Sequence, residues 1–252
     1  MIKFFRIIRR NLLGEGKTGK YFKYGFGEVL LVCIGVLIAL QVNNWNEKRK
    51  VQEAEHLLLE DLLNEMTTNL GFLEKAMEYN AKSKGAFNKL VHIYHNQYIP
   101  ESTQEIDSLL SLAQWAWTFD PAMGALNAIK VSGHMNSVSN AELRKKIALY
   151  EDLARDAQEE SQLLRQLIVD KYIPQLSQYV TLIDRLKFLG SDYEIMEGSK
   201  FPADYAGLFN DRSIENLLAY MHTWRVDELK EYTDLKNFIE SFIETLKIEL
   251  DD

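Results

Sequence analysis

The sequence predicts an all-α protein: one N-terminal transmembrane helix continuing into an antiparallel bundle of long helices. Three observations carry that class. Residues 24–45 (YGFGEVLLVCIGVLIALQVNNW) form one apolar stretch of spanning length. Beyond it, apolar residues recur at spacings of three and four. No strand-like alternation of useful length interrupts them. The resulting division is a basic amphipathic segment at 1–23, a transmembrane helix at 24–45 and a helical bundle domain at 46–252.

The anchor is justified by its core and its flanks. Nine residues between 29 and 40 are Val, Leu or Ile, and each favours insertion by roughly 0.3–0.6 kcal/mol near a helix centre. Tyr21, Phe22, Tyr24 and Phe26 stand at one end and Trp45 at the other, the places aromatic belts occupy at membrane interfaces. Residues 1–24 carry seven Lys or Arg, against Lys48, Arg49 and Lys50 after the span. The larger basic cluster is expected in the cytoplasm, so residues 46–252 are expected to face outward. The long basic region, with no A-x-A-like site after the run, reads as an uncleaved signal anchor. Gly27, Gly35 and Ala39 share one face of the span and suit close packing of a second membrane helix. Glu28 is a carboxylate at the membrane boundary, either snorkelling or functional.

Charge is segregated along the chain. Residues 1–24 hold seven basic groups and one acid, so the whole-chain net of −8 leaves −14 for the remainder. The basic end suits an anionic inner leaflet as partner, and the acidic remainder excludes nucleic acid. The one cysteine, Cys33, lies in the span, so no internal disulfide and no thiolate metal cluster are expected.

The elements follow in order. Residues 1–13 (MIKFFRIIRRNLL) place Phe4, Phe5, Ile8 and Leu12 on one helical face with basic residues beside it, an interfacial helix. Gly14, Gly16 and Gly19 are expected to break it before the span. Gly16-Lys17-Thr18 imitates a phosphate-binding loop, but Asn11 stands where that loop needs glycine. From Asn46 to Tyr98 the membrane helix continues, with a packing seam of Leu59, Leu63, Met66, Leu70, Leu73 and Met77, resumed at Phe87, Val91, Tyr94 and Tyr98. Ser102-Thr103-Gln104-Glu105 is a capping box for a helix expected to run to Phe119. Asp120-Pro121 supplies a cap and first-turn proline for a short helix closed by Gly133. Ser139-Asn140-Ala141-Glu142 opens a long helix whose seam reads Leu143, Ile147, Tyr150, Ala154, Ala157, Ser161, Leu164, Ile168. Pro174 should kink or break it, with the pattern resuming through Tyr179, Ile183 and Leu186. Residues 190–212 read as the longest loop, and a last helix runs from Ser213 to Leu250 with the seam Tyr232, Leu235, Ile239, Phe242 and Leu246.

Candidate chemistry is sparse. His92 and His95 are one helical turn apart, in reach of one metal, but two ligands do not make a site. Adjacent acid pairs such as Glu60-Asp61 diverge on a helix and read as solvated faces. No G-x-S-x-G occurs. The chain is therefore not expected to be an enzyme or to hold a metal or cofactor. Trp115, Trp117 and Phe119 at a helix end cannot all face one core, so one tryptophan is expected at a surface edge as a candidate partner contact.

Two stretches resemble a known family. Glu15 to Tyr24 (EGKTGKYFKY), then Gly27-Glu28, then residues 34–47 (IGVLIALQVNNWNE) are similar to a domain-of-unknown-function family of single-pass membrane proteins of Gram-negative bacteria. Residues 125–133 (ALNAIKVSG) followed by 139–144 (SNAELR) resemble a second segment of that family. The resemblance implies topology and no activity. It implies that Glu28, Asn43, Asn44 and Trp45 are not incidental, and that Lys130 and Ser132 belong to a structural turn or a contact site. The expected function is a non-enzymatic interaction or scaffold module of the cell envelope, acting with a protein partner or as a homodimer. The alternative is a periplasmic ligand-sensing bundle. An exposed apolar patch near Trp115 favours the first, and a deep pocket of convergent polar groups the second.

Overall fold

The computed structural model describes residues 18–96, 102–131, 135, 138–188 and 198–251, with side chains from residue 25 onward. Among them no strand occurs. The helices are α1 (Thr18–Asn96), α2 (Thr103–Ala113), α3 (Gly124–Val131), α4 (Ala141–Leu167), α5 (Ile173–Leu176), α6 (Tyr205–Asn210) and α7 (Arg212–Asp251). A π-helical turn, Ile168–Tyr172, joins α4 to α5, and a 3-10 turn spans Ile183–Phe188. The chain divides into two compact units, one to Leu57 and one from Leu58 onward.

The first unit is the early part of α1. Every residue from 29 to 45 is exposed, although most are apolar. A helix apolar on all sides is stable where its surroundings are apolar too. This is a helix long and apolar enough to cross a membrane. Gly19, expected to break the chain before the span, lies inside α1. The amphipathic segment at 1–13 lies outside the described residues.

The second unit is an all-helical bundle whose order is fixed by pairs of contacts. Asn69 meets Tyr150 of α4, and Lys236 of α7 meets Glu74. Phe87 meets His222. Asn140 bonds Glu249, and Ser161 bonds Glu228. Thus α7 runs antiparallel to both α1 and α4. The second leg, from α2 to α3, descends alongside α1, with Ala113 level with Ser83 and Ala125 level with Glu65. Glu65 and Ser83 lie about 27 Å apart along a helix rising about 1.5 Å per residue. The twelve residues from Ala113 to Ala125 would cover only about 18 Å as helix. The leg is therefore helix, extended strap, helix.

Two hydrophobic clusters form the core. One gathers Leu62, Met66, Leu126, Leu143, Tyr150 and Phe242; the other gathers Phe87, Leu90, Leu110, Leu164, Tyr172 and Leu218. The buried seams of α4 and α7 match the spacing read from sequence at all the residues named there. That of α1 differs. Its buried line runs Leu59, Leu62, Met66, Asn69, Leu73, Ala76, Asn80, Ser83, Phe87, Leu90, while Leu63, Leu70 and Met77 are only partly buried and flank it. Val91 is exposed, and Tyr98 lies outside the described residues.

Other boundaries shift for local reasons. Helix α2 ends at Ala113 rather than Phe119, because the next residues bond to other helices. Asp120-Pro121 starts no helix, and α3 begins at Gly124. Ser102 caps α2 without a side-chain bond. For α4 the capping side chain is Asn140, which accepts from the amides of Glu142 (2.9 Å) and Leu143 (3.3 Å). Pro174 lacks an N–H for the carbonyl four residues back and crowds it. The helix answers by widening into the π turn just before it and stops at Leu176. The stretch read as a long loop contains α6, whose cap Asp204 accepts from the Gly207 amide (2.7 Å). A Cβ at Gly207 would meet that carboxylate at 2.2 Å, so any larger residue there must displace the capping side chain.

Candidate functional site

The strap between α2 and α3 is non-helical, and its backbone groups need partners. Side chains supply them. Asn80 donates to the carbonyl of Trp117 (3.0 Å) and accepts from its amide (3.1 Å). Asn69 does the same for Ala122, at 2.8 Å each way, and also donates to the Tyr150 hydroxyl (2.8 Å). Each asparagine thus imitates a neighbouring strand. The Glu65 carboxylate accepts from the amides of Ala125 (2.7 Å) and Leu126 (3.1 Å), a cap for α3 delivered from another helix, where negative charge is favoured. Gln158 donates to the carbonyl of Phe119 (2.9 Å), whose amide donates to the Tyr232 hydroxyl (3.1 Å).

The bonds of Asn80, Gln158 and Tyr232 belong to a polar layer between the two hydrophobic clusters. Arg225 and Glu228 are fully buried and ion-paired, and Arg225 also donates to the carbonyl of Trp115. Ser161 donates to Glu228 (2.6 Å) and lies 2.6 Å from the Tyr232 hydroxyl. Burial pushes the Glu228 carboxyl up, opposed by Arg225, and pushes the guanidinium down. Burial raises the Tyr232 phenol to about 12. Removing one member would strand a buried charge, which costs about 3–5 kcal/mol.

One edge of the strap borders a cleft of about 590 Å³. Gln114, Trp117 and Asp120 line it from the strap, and Arg165, Val169 and Leu182 from the opposite side, with Ile168 of the π turn at its wall. Trp117 is 41% exposed, Val169 55% and Leu182 44%. The Trp117 ring is stacked on Tyr79 at 4.5 Å, with the Lys75 ammonium 5.4 Å from its centre. The Gln114 Oε1 atom is shielded from solvent and has no hydrogen-bond partner among the described residues. Such a lining supplies apolar contact, one cation, one anion and a shielded, unpartnered amide oxygen. That is chemistry for recognition.

The residues singled out from sequence are placed as follows. Trp115 and Trp117 both meet Tyr79, Trp115 at 5.3 Å, and Phe119 is fully buried. The helical geometry assumed for them is corrected by the strap, because extended backbone sends alternate side chains to one side. Trp117 is the one at the surface. Lys130 pairs with Glu151 of α4, a tie between two helices. Ser132 lies outside the described residues. Gly27, Gly35 and Ala39 are exposed on α1, and no atom lies within 4 Å of a Cβ built on either glycine. Glu28 is half-buried. His92 and His95 are exposed, and His92 contacts Asn96. Glu53 and His56 have the Glu-x-x-His spacing of di-iron bundles, but such a site needs two motifs on facing helices. No group of three metal-ligating side chains gathers among the described residues.

Sequence reasoning missed Glu65, Asn69, Asn80, Arg225 and Glu228. Their spacing was visible, because Asn69 and Asn80 fall on the three-four line of α1. Arg225 and Glu228 continue the α7 seam backwards from Tyr232. Their polarity hid them. No curated protein and no solved structure matches the chain. One family model does match, over residues 28–188, which spans most of the apolar stretch, the rest of α1, the strap and α4. The chain belongs to the family of unknown function DUF6090.

Proposed function

We propose that this protein is a membrane-anchored, non-enzymatic interaction module of the bacterial cell envelope. Its basic end rests on the anionic cytoplasmic leaflet, one signal-anchor helix crosses the inner membrane, and residues 46–252 stand in the periplasm. A partner protein docks on the cleft beside the strap. The observation that carries this is Trp117, held by Tyr79 and exposed among Val169 and Leu182. A pre-ordered tryptophan in an apolar setting with arginine nearby has the composition of an interface hot spot. The bidentate bonds to Trp117 fix its backbone, so little ordering cost remains for binding.

The test is a photo-crosslinking residue placed at Trp117 or Val169 in intact cells. One discrete adduct from both positions, and none from exposed Lys89, is the expected result. The absence of any adduct from either position overturns the docking site. Orientation has its own test: a reporter active only in the periplasm, fused after Asp252, should be active. The second reading, ligand sensing, is favoured by the unpartnered Gln114 Oε1 in a cleft that Arg165 also lines. It predicts a small-molecule adduct in place of a protein one. Self-association through Gly27, Gly35 and Ala39 is compatible with either reading, and the small side chains on one face of the span would allow close approach.

A further inference from the structure

A second surface, away from the strap, lies in the groove between α4 and α7. Leu163 and Leu167 of α4 line it with Tyr220 and Trp224 of α7, and Asp170 and Lys171 of the π turn stand at one end. Leu163 is 49% exposed and Tyr220 55%. The rings of Tyr220 and Trp224 meet edge to face at 6.0 Å. Both helices carry their line onward at three-four spacing, α4 from Leu163 back to Glu160, and α7 from Trp224 on to Asp227 and Glu231. These carboxylates feel one another: burial and then repulsion from Asp227 and Glu231 raise the Glu160 carboxyl. The Glu160 Oε2 atom is shielded from solvent and has no hydrogen-bond partner among the described residues. The groove is thus apolar and aromatic along its length, with Asp170 and Lys171 at one end and the carboxylates of Glu160, Asp227 and Glu231 just beyond the other.

We propose that this groove docks a basic amphipathic helix of a partner protein, its apolar face on Tyr220, Trp224 and Leu163 and its Lys or Arg residues on Glu160, Asp227 and Glu231. The inference rests on reading the bundle as an interaction module and names the class of partner. Charge complementarity selects the occupant. A second copy of this face would bring the same carboxylates, and an anionic membrane surface would be repelled. An apolar stripe with cations one or two turns further along a helix satisfies both the apolar length and the acidic end of the groove.

The experiment uses the full chain in nanodiscs and a fluorescent synthetic peptide of 18 residues. Its sequence repeats Leu at helical spacing and carries Lys at one end. Fluorescence polarisation should show saturable binding, about tenfold tighter than for the same peptide with Glu in place of Lys. A scrambled peptide of equal charge without the apolar stripe should bind at least about tenfold more weakly. Trp224→Ala should weaken binding about tenfold, and Tyr220→Ser, at a more exposed site, should weaken it without altering the thermal unfolding of the bundle. The triple change Glu160→Gln, Asp227→Asn, Glu231→Gln should flatten the salt dependence. Equal binding of the Lys and scrambled peptides, or unchanged binding by Tyr220→Ser, overturns the proposal. Trp117→Ala should leave peptide binding unchanged, so failure here is separable from failure of the strap cleft, which the crosslinks at Trp117 report.

Discussion

The two parts of α1 obey opposite rules. From residue 29 to 45 every side chain is exposed and the composition is mostly apolar on all sides; from Leu59 to Ile93 one line is buried and most of the rest is polar or half-covered, with Phe72 and Val91 the large apolar exceptions. A helix meant for lipid needs no preferred face, because its solvent is the same all round. A helix meant for a bundle needs a stripe. The polar residues differ too. In the early part Glu28 and Gln41 stand at the ends of the apolar run. In the later part Asn69, Asn80 and Ser83 stand in the middle of the buried line. They are tolerated because the two asparagines bond backbone groups of the strap and Ser83 bonds the last carbonyl of α2. Polarity is kept to the ends in one part and used inside the other.

The sharpest way to break this contrast is to place the same charge in both parts. Leu62→Asp puts an unpaired carboxylate in the core and should cost at least about 4 kcal/mol, abolishing cooperative unfolding of the bundle by circular dichroism. Leu37→Asp, at a position 61% exposed, should leave that unfolding unchanged and instead cost about 3 kcal/mol of membrane insertion, read by fractionation. Asn69→Leu comes next. It strands the amide and carbonyl of Ala122 and should lower stability by about 2–3 kcal/mol in urea titration, although it makes the line more apolar. A change within about 0.5 kcal/mol would mean the strap is held elsewhere. Glu65→Gln weakens the cap on α3 and should cost about 1 kcal/mol. The pH dependence of Glu160 is smaller. Its folded carboxyl binds protons more tightly than the unfolded one, so its contribution to stability falls as pH rises from the unfolded value through the folded one. Glu160→Gln should therefore raise the melting temperature at pH 7 and leave it unchanged at pH 4. Gly35→Ile should not move bundle unfolding at all. It should turn two-step photobleaching in a bilayer into one-step, and one-step bleaching of the wild type would end the idea of association.

The difference between the two parts also sets what could be read in advance. Membrane length, the seams of α4 and α7 and the helix starts at Thr103 and Ala141 follow from local pattern, and local pattern is written in neighbouring residues. The strap is not local. Residues Trp115 to Phe119 have good helical neighbours, and only bonds from Asn80, Gln158, Arg225 and Tyr232 make extension favourable. Polar residues in a buried line carry no apolar signal, so the line of α1 was read one step aside, at Leu63, Leu70 and Met77. The candidate cleft inherits that difficulty. Trp117 was legible as a tryptophan to watch, but Arg165, Val169 and Leu182 reach it only through the bundle and the π turn.

The strap also bears on the order in which the chain acquires its structure. Its backbone partners lie 37 residues away for Asn80, 53 for Asn69, 110 for Arg225 and 113 for Tyr232. Loop closure over such separations must precede the bonds that reward it. During synthesis the strap leaves the ribosome long before α7 exists, so Trp115 and Phe119 wait for their partners with the backbone solvated. Local helices form first, and the strap locks last. In pulsed hydrogen exchange during refolding, the amides of Trp117, Phe119 and Ala122 should gain protection after those of α4, and the bundle should fold more slowly than helical bundles whose contacts are mostly local.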